Sequence, residues 1–399
     1  MVKQEIKLQN PERFSKPHVI PKEKLEAAVK VACERLKKMG RENSGLLPAG
    51  SSVNFKYNFC ENRNWVDGMY TGCFWLAYKL TGDEFFKEEG LKQLATYRPR
   101  LENRVGVDDH DVGFGYTPSC VNAYRFFGDK EARQTALDAA EYFYNTGYSK
   151  EGKFIIRAWK AWKEDGAVAG CRTMMDSLMN APLFYWASEE TGDPKYKIAG
   201  SDHTKTTEQY LIREDASSYH HYQFDPVTCE PLYGITLQGN SNESCWSRGH
   251  SWGVYGFPTA YSYTGEEYLI QLHKDITYFM LNHLPEDLVS CWDYDFVDGK
   301  ESRDTSASLI AVCGMLEMNR YLPDDAEQKP IFASAAAQIL ESVIDNYTGE
   351  LDVEFDGLVH HVTGAKPQGI GIDETAPYGD YFYLEALARY LLPEEEHYW

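Results

Sequence analysis

The stretch Thr71-Gly72-Cys73-Phe74-Trp75-Leu76-Ala77-Tyr78-Lys79-Leu80-Thr81, closed by Gly82-Asp83, decides how the rest of the chain reads. It is apolar on most faces, as a helix buried all round must be. It stops at a glycine that can take the left-handed cap conformation, and the acidic residue that follows suits the first turn of another helix. That next helix, over 84–97, is amphipathic. The same punctuation returns where 121–127 meets Gly128-Asp129, where 183–191 meets Gly192-Asp193, and where 258–264 meets Gly265-Glu266. An apolar helix, a glycine, an acid and a one-sided helix make an αα-hairpin. The glycines stand roughly 46, 64 and 73 residues apart, too irregular for an open solenoid and suited to a closed ring with variable loops on one face. The pattern predicts an all-α toroid of six hairpins, with one short β-hairpin over 222–237, where Asp225-Pro226 opens a turn.

Nothing marks a cut in the 399 residues: no Ser/Gly-rich or charge-run linker occurs, and hydrophobic residues make up 43%. The expectation is one domain over 1–399, with residues 1–20 an N-terminal extension. A core of this size needs neither disulfide nor metal for stability. The nine cysteines are scattered, odd in number and without a CxxC pair, which argues against a disulfide framework and a zinc site. The N-terminal MVKQEIKLQNPERFSK has no apolar stretch, and no run of about 18 apolar residues occurs. A cytoplasmic protein with free thiols is expected. The net charge of −21 makes nucleic acid and anionic membrane poor partners. An anionic substrate would have to be held by local Arg, His or amide groups.

Three constellations carry chemistry. The first is Asp108-Asp109-His110-Asp111-Val112-Gly113-Phe114, read as a loop because Thr117-Pro118 offers an N-cap and first-turn residue for the next helix. Capping explains one aspartate, not three; acid/base or substrate-contact work and metal binding remain open beside it. The second is Arg172-Thr173-Met174-Met175-Asp176-Ser177-Leu178-Met179-Asn180. Apolar residues at 174, 175, 178, 179, 183 and 186 predict a helix, with Asp176 and Asn180 on one face and Pro182 a kink or boundary. Poor solvation beside two methionines would favour the protonated form of Asp176, as a general acid needs; a surface aspartate on an amphipathic helix is the plain alternative. The third runs from Thr236-Leu237-Gln238-Gly239 to Trp246-Ser247-Arg248-Gly249-His250-Ser251-Trp252. Arg248 and Trp252, four apart on a helix, match a carboxylated sugar or a cation–π surface pair. Trp65, Trp159, Trp162, Trp292 and Tyr294 add stacking candidates. No Ser-His-Asp set, phosphate loop, dinucleotide fingerprint or HExxH occurs.

Five motifs in order resemble one family: Asn64-Trp65-Val66-Asp67-Gly68, Asp109 to Phe114, Met175 to Asn180, Trp246 to Gly253, and Gly379-Asp380-Tyr381-Phe382-Tyr383-Leu384-Glu385-Ala386-Leu387. Together they are similar to the unsaturated glucuronyl hydrolases, glycoside hydrolase family 88, from about residue 60 to the end. The resemblance implies an (α/α)6 barrel, cytoplasmic location, no metal or other cofactor, and action on oligosaccharides left by polysaccharide lyases. Such substrates end in a uronic acid with a C4=C5 double bond. The family hydrates that vinyl ether: a carboxylic acid protonates C4, water adds at C5, and the hemiketal collapses to an open keto-acid, so the carboxylate-separation rule for ordinary glycosidases does not apply. By motif position, Asp176 resembles the general acid/base and Asp111 the second carboxylate. His110, His220, Gln238 and Arg248 fall where substrate is contacted, and Trp65, Trp159 and Trp252 at aromatic positions.

One departure stands out. Sulfate-accepting members resemble one another in an Arg just before the glutamine and in an S-x-x-S-x-K segment near the C-terminus. The corresponding places here hold Leu237, then Ala365, Gln368 and Ile370. Without those donors a sulfate loses its charged partners, so unsulfated or differently sulfated substrates are expected, with nearby Lys366 the one available substitute. The competing expectations are an unsaturated rhamnogalacturonyl hydrolase acting on pectin fragments and a non-catalytic helical ring that binds acidic sugars.

Overall fold

The computed structural model describes residues 2–157, 171–349, 354–395 and 398–399. Among them, six buried helices form an inner ring: Asp67–Thr81, a run from Val112–Tyr116 through Thr117–Val121 to Asn122–Phe127, Pro182–Thr191, Ser247–Thr264, Thr305–Asn319 and Pro377–Leu391. Six further helices lie outside it: Lys22–Glu42, Glu84–Leu94, Lys130–Gly147, Pro194–Leu211, Tyr268–Asn282 and Gln328–Asn346. Each inner helix touches the next, and the last returns to the first, so the ring closes. This is the expected (α/α)6 barrel in one domain. The inner helices are buried on all sides; in Ser247–Thr264 every residue from 247 to 260 is buried. Lys22–Glu42 is one-sided, burying Leu25, Val29, Ala32, Leu36 and Met39 at helical spacing.

The four punctuating glycines are the left-handed caps of inner helices, with φ of 69° at Gly82, 70° at Gly128, 72° at Gly192 and 67° at Gly265. The aspartates after three of them are N-caps. Asp83 accepts from the Phe85 amide, Asp129 from Ala132 and Asp193 from Lys195. The β-hairpin is present as His221–Phe224 paired antiparallel with Pro231–Ile235, and Arg172–Met174 joins it as a third strand. Two local expectations are corrected. Residues 174–180 are not one α-helix: strand Arg172–Met174 leads into a 3-10 turn over Met175–Met179, and the α-helix starts at Pro182. Cross-strand bonds to His220–Gln223 hold that segment extended, and Pro182 is a boundary because a first-turn proline lacks only an amide with no helical partner anyway. The 108–114 segment likewise enters its helix at Val112, and Pro118 sits inside a π-turn, which widens the helix around the missing amide. Residues 2–20 run along the outer helices; the Ile6 amide donates to Asp275 at 2.8 Å, and Phe14 is buried.

The connectivity points all six inner helices the same way. In or just before their first turns stand Trp65, Asp111, Asp176, Arg248, Asp304 and Tyr378, and these groups meet at one end of the barrel. The opposite end is filled by Tyr255, Glu385, Arg389, Glu317 and Trp399, an internally bonded polar set. Six converging N-termini, each worth about half a positive charge, create a local field favourable to an anion in a chain whose net charge is −21. No described helix is long and apolar enough to cross a membrane.

Candidate active site

The centre of the open end is a histidine between carboxylates. His110, 3% exposed, is fixed by Asp109, whose Oδ1 accepts from the His110 amide at 2.8 Å and meets ring Nδ1 at 2.7 Å. The other ring nitrogen, Nε2, lies 3.3 Å from Asp111 Oδ1 and 3.4 Å from Asp176 Oδ1. Neither contact has hydrogen-bond alignment, so His110 Nε2 and Asp176 Oδ1 are both buried polar atoms without a partner. The arrangement is assembled from two separate helix ends. Asp111 occupies the N-cap position of Val112–Tyr116 but makes no capping bond, which leaves its carboxylate available. Asn180 locks the two ends together: its Oδ1 accepts from the Phe114 amide at 2.7 Å and its Nδ2 donates to the Asp176 carbonyl at 3.3 Å. The approach is so close that a Cβ on Gly113 would lie 2.4 Å from the Asn180 Cα and carbonyl oxygen.

Burial alone would discharge His110, but Asp111, Asp109 and Asp176 outweigh it and hold the imidazolium well above its ordinary range. Burial pushes Asp111 up to about 7, the imidazolium opposing. Asp176 behaves differently from the sequence expectation. Its burial does favour protonation, but His110 overrides this and holds Asp176 below the usual carboxylate range. The free site therefore carries its titrating proton on Asp111 and an ion pair between His110 and Asp176. Histidine occupies the place between the carboxylates, and no group of three or more His, Cys, Asp or Glu suited to a metal occurs among the described residues.

The wall beside these groups is a stack. Trp65 lies face to face with Tyr378, ring centroids 5.2 Å apart. The Arg248 guanidinium sits 4.8 Å above Tyr378 and 4.7 Å from Trp246, whose ring approaches His220 at 4.4 Å. The indole beside Arg248 is thus Trp246, not Trp252. Trp252 is 1% exposed and packs on Phe114 and Phe382, a core residue supporting the floor. Arg248 is also more engaged than expected. It is ion-paired to buried Asp304 and donates to the carbonyls of Thr363, at 2.6 Å, and Gly364. Gln238 donates to the same Gly364 oxygen at 3.3 Å, and its amide approaches His220 Nδ1 at 3.4 Å. Burial lowers His220 to about 3, so it is neutral near pH 7. Trp159 and Trp162 lie outside the described residues.

The rim carries the predicted departure. Leu237 is 40% and Ile370 55% exposed, and Gln368 donates to the Leu237 carbonyl at 2.9 Å. Lys366 is not a free substitute for a sulfate ligand: it is paired with Glu301, bonds Ser302 Oγ at 3.1 Å and lies 5.3 Å above Trp292. The reading of residues alone passed over Trp246, Tyr378 and Asp304. Tyr378 and Asp304 announce themselves only by position, in or beside the first turn of inner helices, and Trp246 was quoted but set aside for the helically spaced Trp252.

The family model for Glycosyl Hydrolase Family 88 matches residues 35–390. An unsaturated chondroitin disaccharide hydrolase of Streptococcus agalactiae is 38% identical, over 98% of this chain and 97% of its own length. A crystal structure of an unsaturated glucuronyl hydrolase from Streptococcus agalactiae superposes with a TM-score of 0.95 at 37% identity, covering all of both chains. A mutant of that enzyme complexed with dGlcA-GalNAc6S gives a TM-score of 0.87 at 35% identity, over 100% of this chain and 99% of that one.

Proposed function

The chain belongs to glycosyl hydrolase family 88, and from that membership we propose that it is an unsaturated glucuronyl hydrolase acting on lyase-derived glycosaminoglycan disaccharides. The observation that carries this is the His110 imidazolium placed 3.3 and 3.4 Å from Asp111 and Asp176 at the converging helix ends. A vinyl ether needs a proton delivered to carbon and a water activated next to it, and this group holds both a proton donor and a carboxylate.

In the reaction we assign, a uronate covers the site against the Trp65–Tyr378 wall and excludes water. An ion pair in a dry site is neutralised by proton transfer, so the Nε2 proton of His110 passes to the unpartnered Asp176 Oδ1. Asp111 then reprotonates the imidazole. Asp176 gives its proton to C4; the double-bond electrons form that C–H bond and leave C5 as an oxocarbenium stabilised by the ring oxygen. Water adds to C5 and returns a proton to the Asp176 carboxylate, giving a hemiketal. Its C5–O bond opens to a ketone, the ring oxygen remains on C1, and C1 expels the aglycone alcohol as it becomes an aldehyde. One water is consumed and the acid is regenerated. His220 and Gln238 line the same wall as substrate contacts, and Arg248 aligns it through Gly364.

At the rim, exposed Leu237 and Ile370 and the engaged Lys366 support a preference for unsulfated aglycones. The nine free cysteines support a cytoplasmic setting. Loss of the double-bond ultraviolet absorbance, followed on hyaluronan-, chondroitin-, heparin- and rhamnogalacturonan-derived unsaturated disaccharides side by side, tests the reading. Turnover of a glucuronate-type disaccharide supports it. Turnover of the pectin-derived substrate alone, or of none, rejects it.

A further inference from the structure

The sheet beside the carboxylates holds charge that the mechanism above does not use. The Arg157 amide donates to the Arg172 carbonyl at 2.8 Å, and the two residues pair directly opposite each other. Directly opposed side chains share a face with Cβ atoms about 4.5–5.5 Å apart. Arg172 in turn pairs with Gln223, and Met174 with His221, so alternation puts His221 on that face as well. Two opposed guanidinium groups repel, yet neither forms an ion pair among the described residues. Their Nε atoms are buried without a hydrogen-bond partner, as is Nδ1 of His221, which is 2% exposed.

The histidine tautomers follow from the bonds around them. His220 Nδ1 accepts from the Gln238 amide at 3.4 Å, so the His220 proton is on Nε2. That Nε2 lies 3.1 Å from His221 Nε2, which must accept and leave the His221 proton on Nδ1. The face thus gathers three buried donors that have no hydrogen-bond acceptor among the described residues. Each unmet buried donor costs about 1–3 kcal/mol, a cost relieved when an oxyanion enters. Position favours an oxyanion next to the reacting carbons: the Arg157 charge reaches both Asp111 and Asp176, and Arg172 feels Asp109. Arg248, the arginine expected to take the acid, is already neutralised by Asp304.

We propose that Arg157, Arg172 and the Nδ1–H of His221 form an oxyanion cradle for the unsaturated ring, receiving its C5 carboxylate or a sulfate ester on that ring. The inference rests on the hydrolase reading. Bidentate arginine bonds to the C5 carboxylate would fix C4 relative to Asp176, making the pair a specificity determinant for acidic sugars.

The test compares wild type with Arg157→Gln, Arg172→Gln and Arg157→Lys on the free-acid disaccharide, its uronate methyl ester and a disaccharide 2-O-sulfated on the unsaturated ring. The glutamine variants are expected to raise KM for the free acid about tenfold to a hundredfold, with the ester's KM unchanged and Arg157→Lys in between. If the sulfate is the occupant, the same loss falls on the 2-O-sulfated substrate alone. Wild-type KM values in both glutamine variants on all three substrates would overturn the cradle. Thermal stabilisation by D-glucuronate over glucose keeps the cradle testable should wild type turn over nothing, which would count against the hydrolase reading alone. Stabilisation present in wild type and lost in Arg157→Gln supports the cradle; the same stabilisation in both proteins refutes it.

Discussion

Replacing His110 with asparagine removes one positive charge from between two carboxylates that lie 3.3 and 3.4 Å from its Nε2. At 3.4 Å and an effective dielectric constant of about 20, a unit charge pair is worth about 5 kcal/mol, or on the order of three to four pKa units. That is a ceiling, because the Asp111 side chain keeps 21% exposure and water will screen part of the field. The direction is firm. Without the imidazolium, Asp176 loses what holds it below the carboxylate range, and Asp111 rises from about 7. In wild type the site loses its working proton as pH rises through about 7, so kcat/KM, which reports the free enzyme, falls on that alkaline side. In His110→Asn that limb moves upward by at least one unit, while turnover at the optimum drops because the relay to Asp176 is gone. The assay is loss of double-bond absorbance across pH, with circular dichroism confirming the fold. An alkaline limb that stays at 7, or moves down, would refute the electrostatic argument.

Three further outcomes follow from particular contacts. Arg248→Ala leaves Asp304 buried and unpaired, and denaturant titration should find about 3–5 kcal/mol of stability lost; a loss under about 1 kcal/mol would mean that the pair is not structural. Gly113→Ala forces a Cβ to within 2.4 Å of the Asn180 backbone, costing about 1–3 kcal/mol and parting Asp111 from Asp176, so the melting temperature and kcat should fall together. Unchanged values for both would contradict the described approach of the two helix ends. Unsulfated unsaturated disaccharide should be turned over faster than its aglycone-sulfated match, and Leu237→Arg should narrow the gap; a clear preference of wild type for the sulfated substrate reverses the reading of the rim.

The barrel was legible in the sequence because its signals are local. A glycine that must turn left-handed, an aspartate that caps, and a helix apolar on every face are each written within about fifteen residues. The two catalytic candidates, Asp111 and Asp176, sit in short motifs, and the fold brings both carboxylates within 3.4 Å of His110 Nε2. What failed was anything set by a distant partner. The methionines beside Asp176 predicted a protonated carboxyl, but His110, 66 positions earlier in the chain, lies 3.4 Å away and holds it below the carboxylate range. Helical spacing offered Trp252 to Arg248, yet the helix begins only at Ser247. A guanidinium in its first turn therefore reaches back to Trp246 and across the ring to Asp304, 56 residues on. The periodic run 174–186 looked like one helix because buried strand, turn and helix residues are equally apolar; cross-strand pairing keeps Met174 in a strand, and the α-helix begins only at Pro182.

The proposed reaction requires Asp176 to transfer hydrogen to carbon. Steady-state turnover of Asp176→Asn on unsaturated chondroitin disaccharide, with the binding constant measured in parallel, is the direct measurement. We expect kcat to fall at least about a hundredfold while affinity is retained, since the amide fills the same space but carries no transferable acid proton. Turnover near that of wild type in a folded Asp176→Asn protein would contradict the assignment.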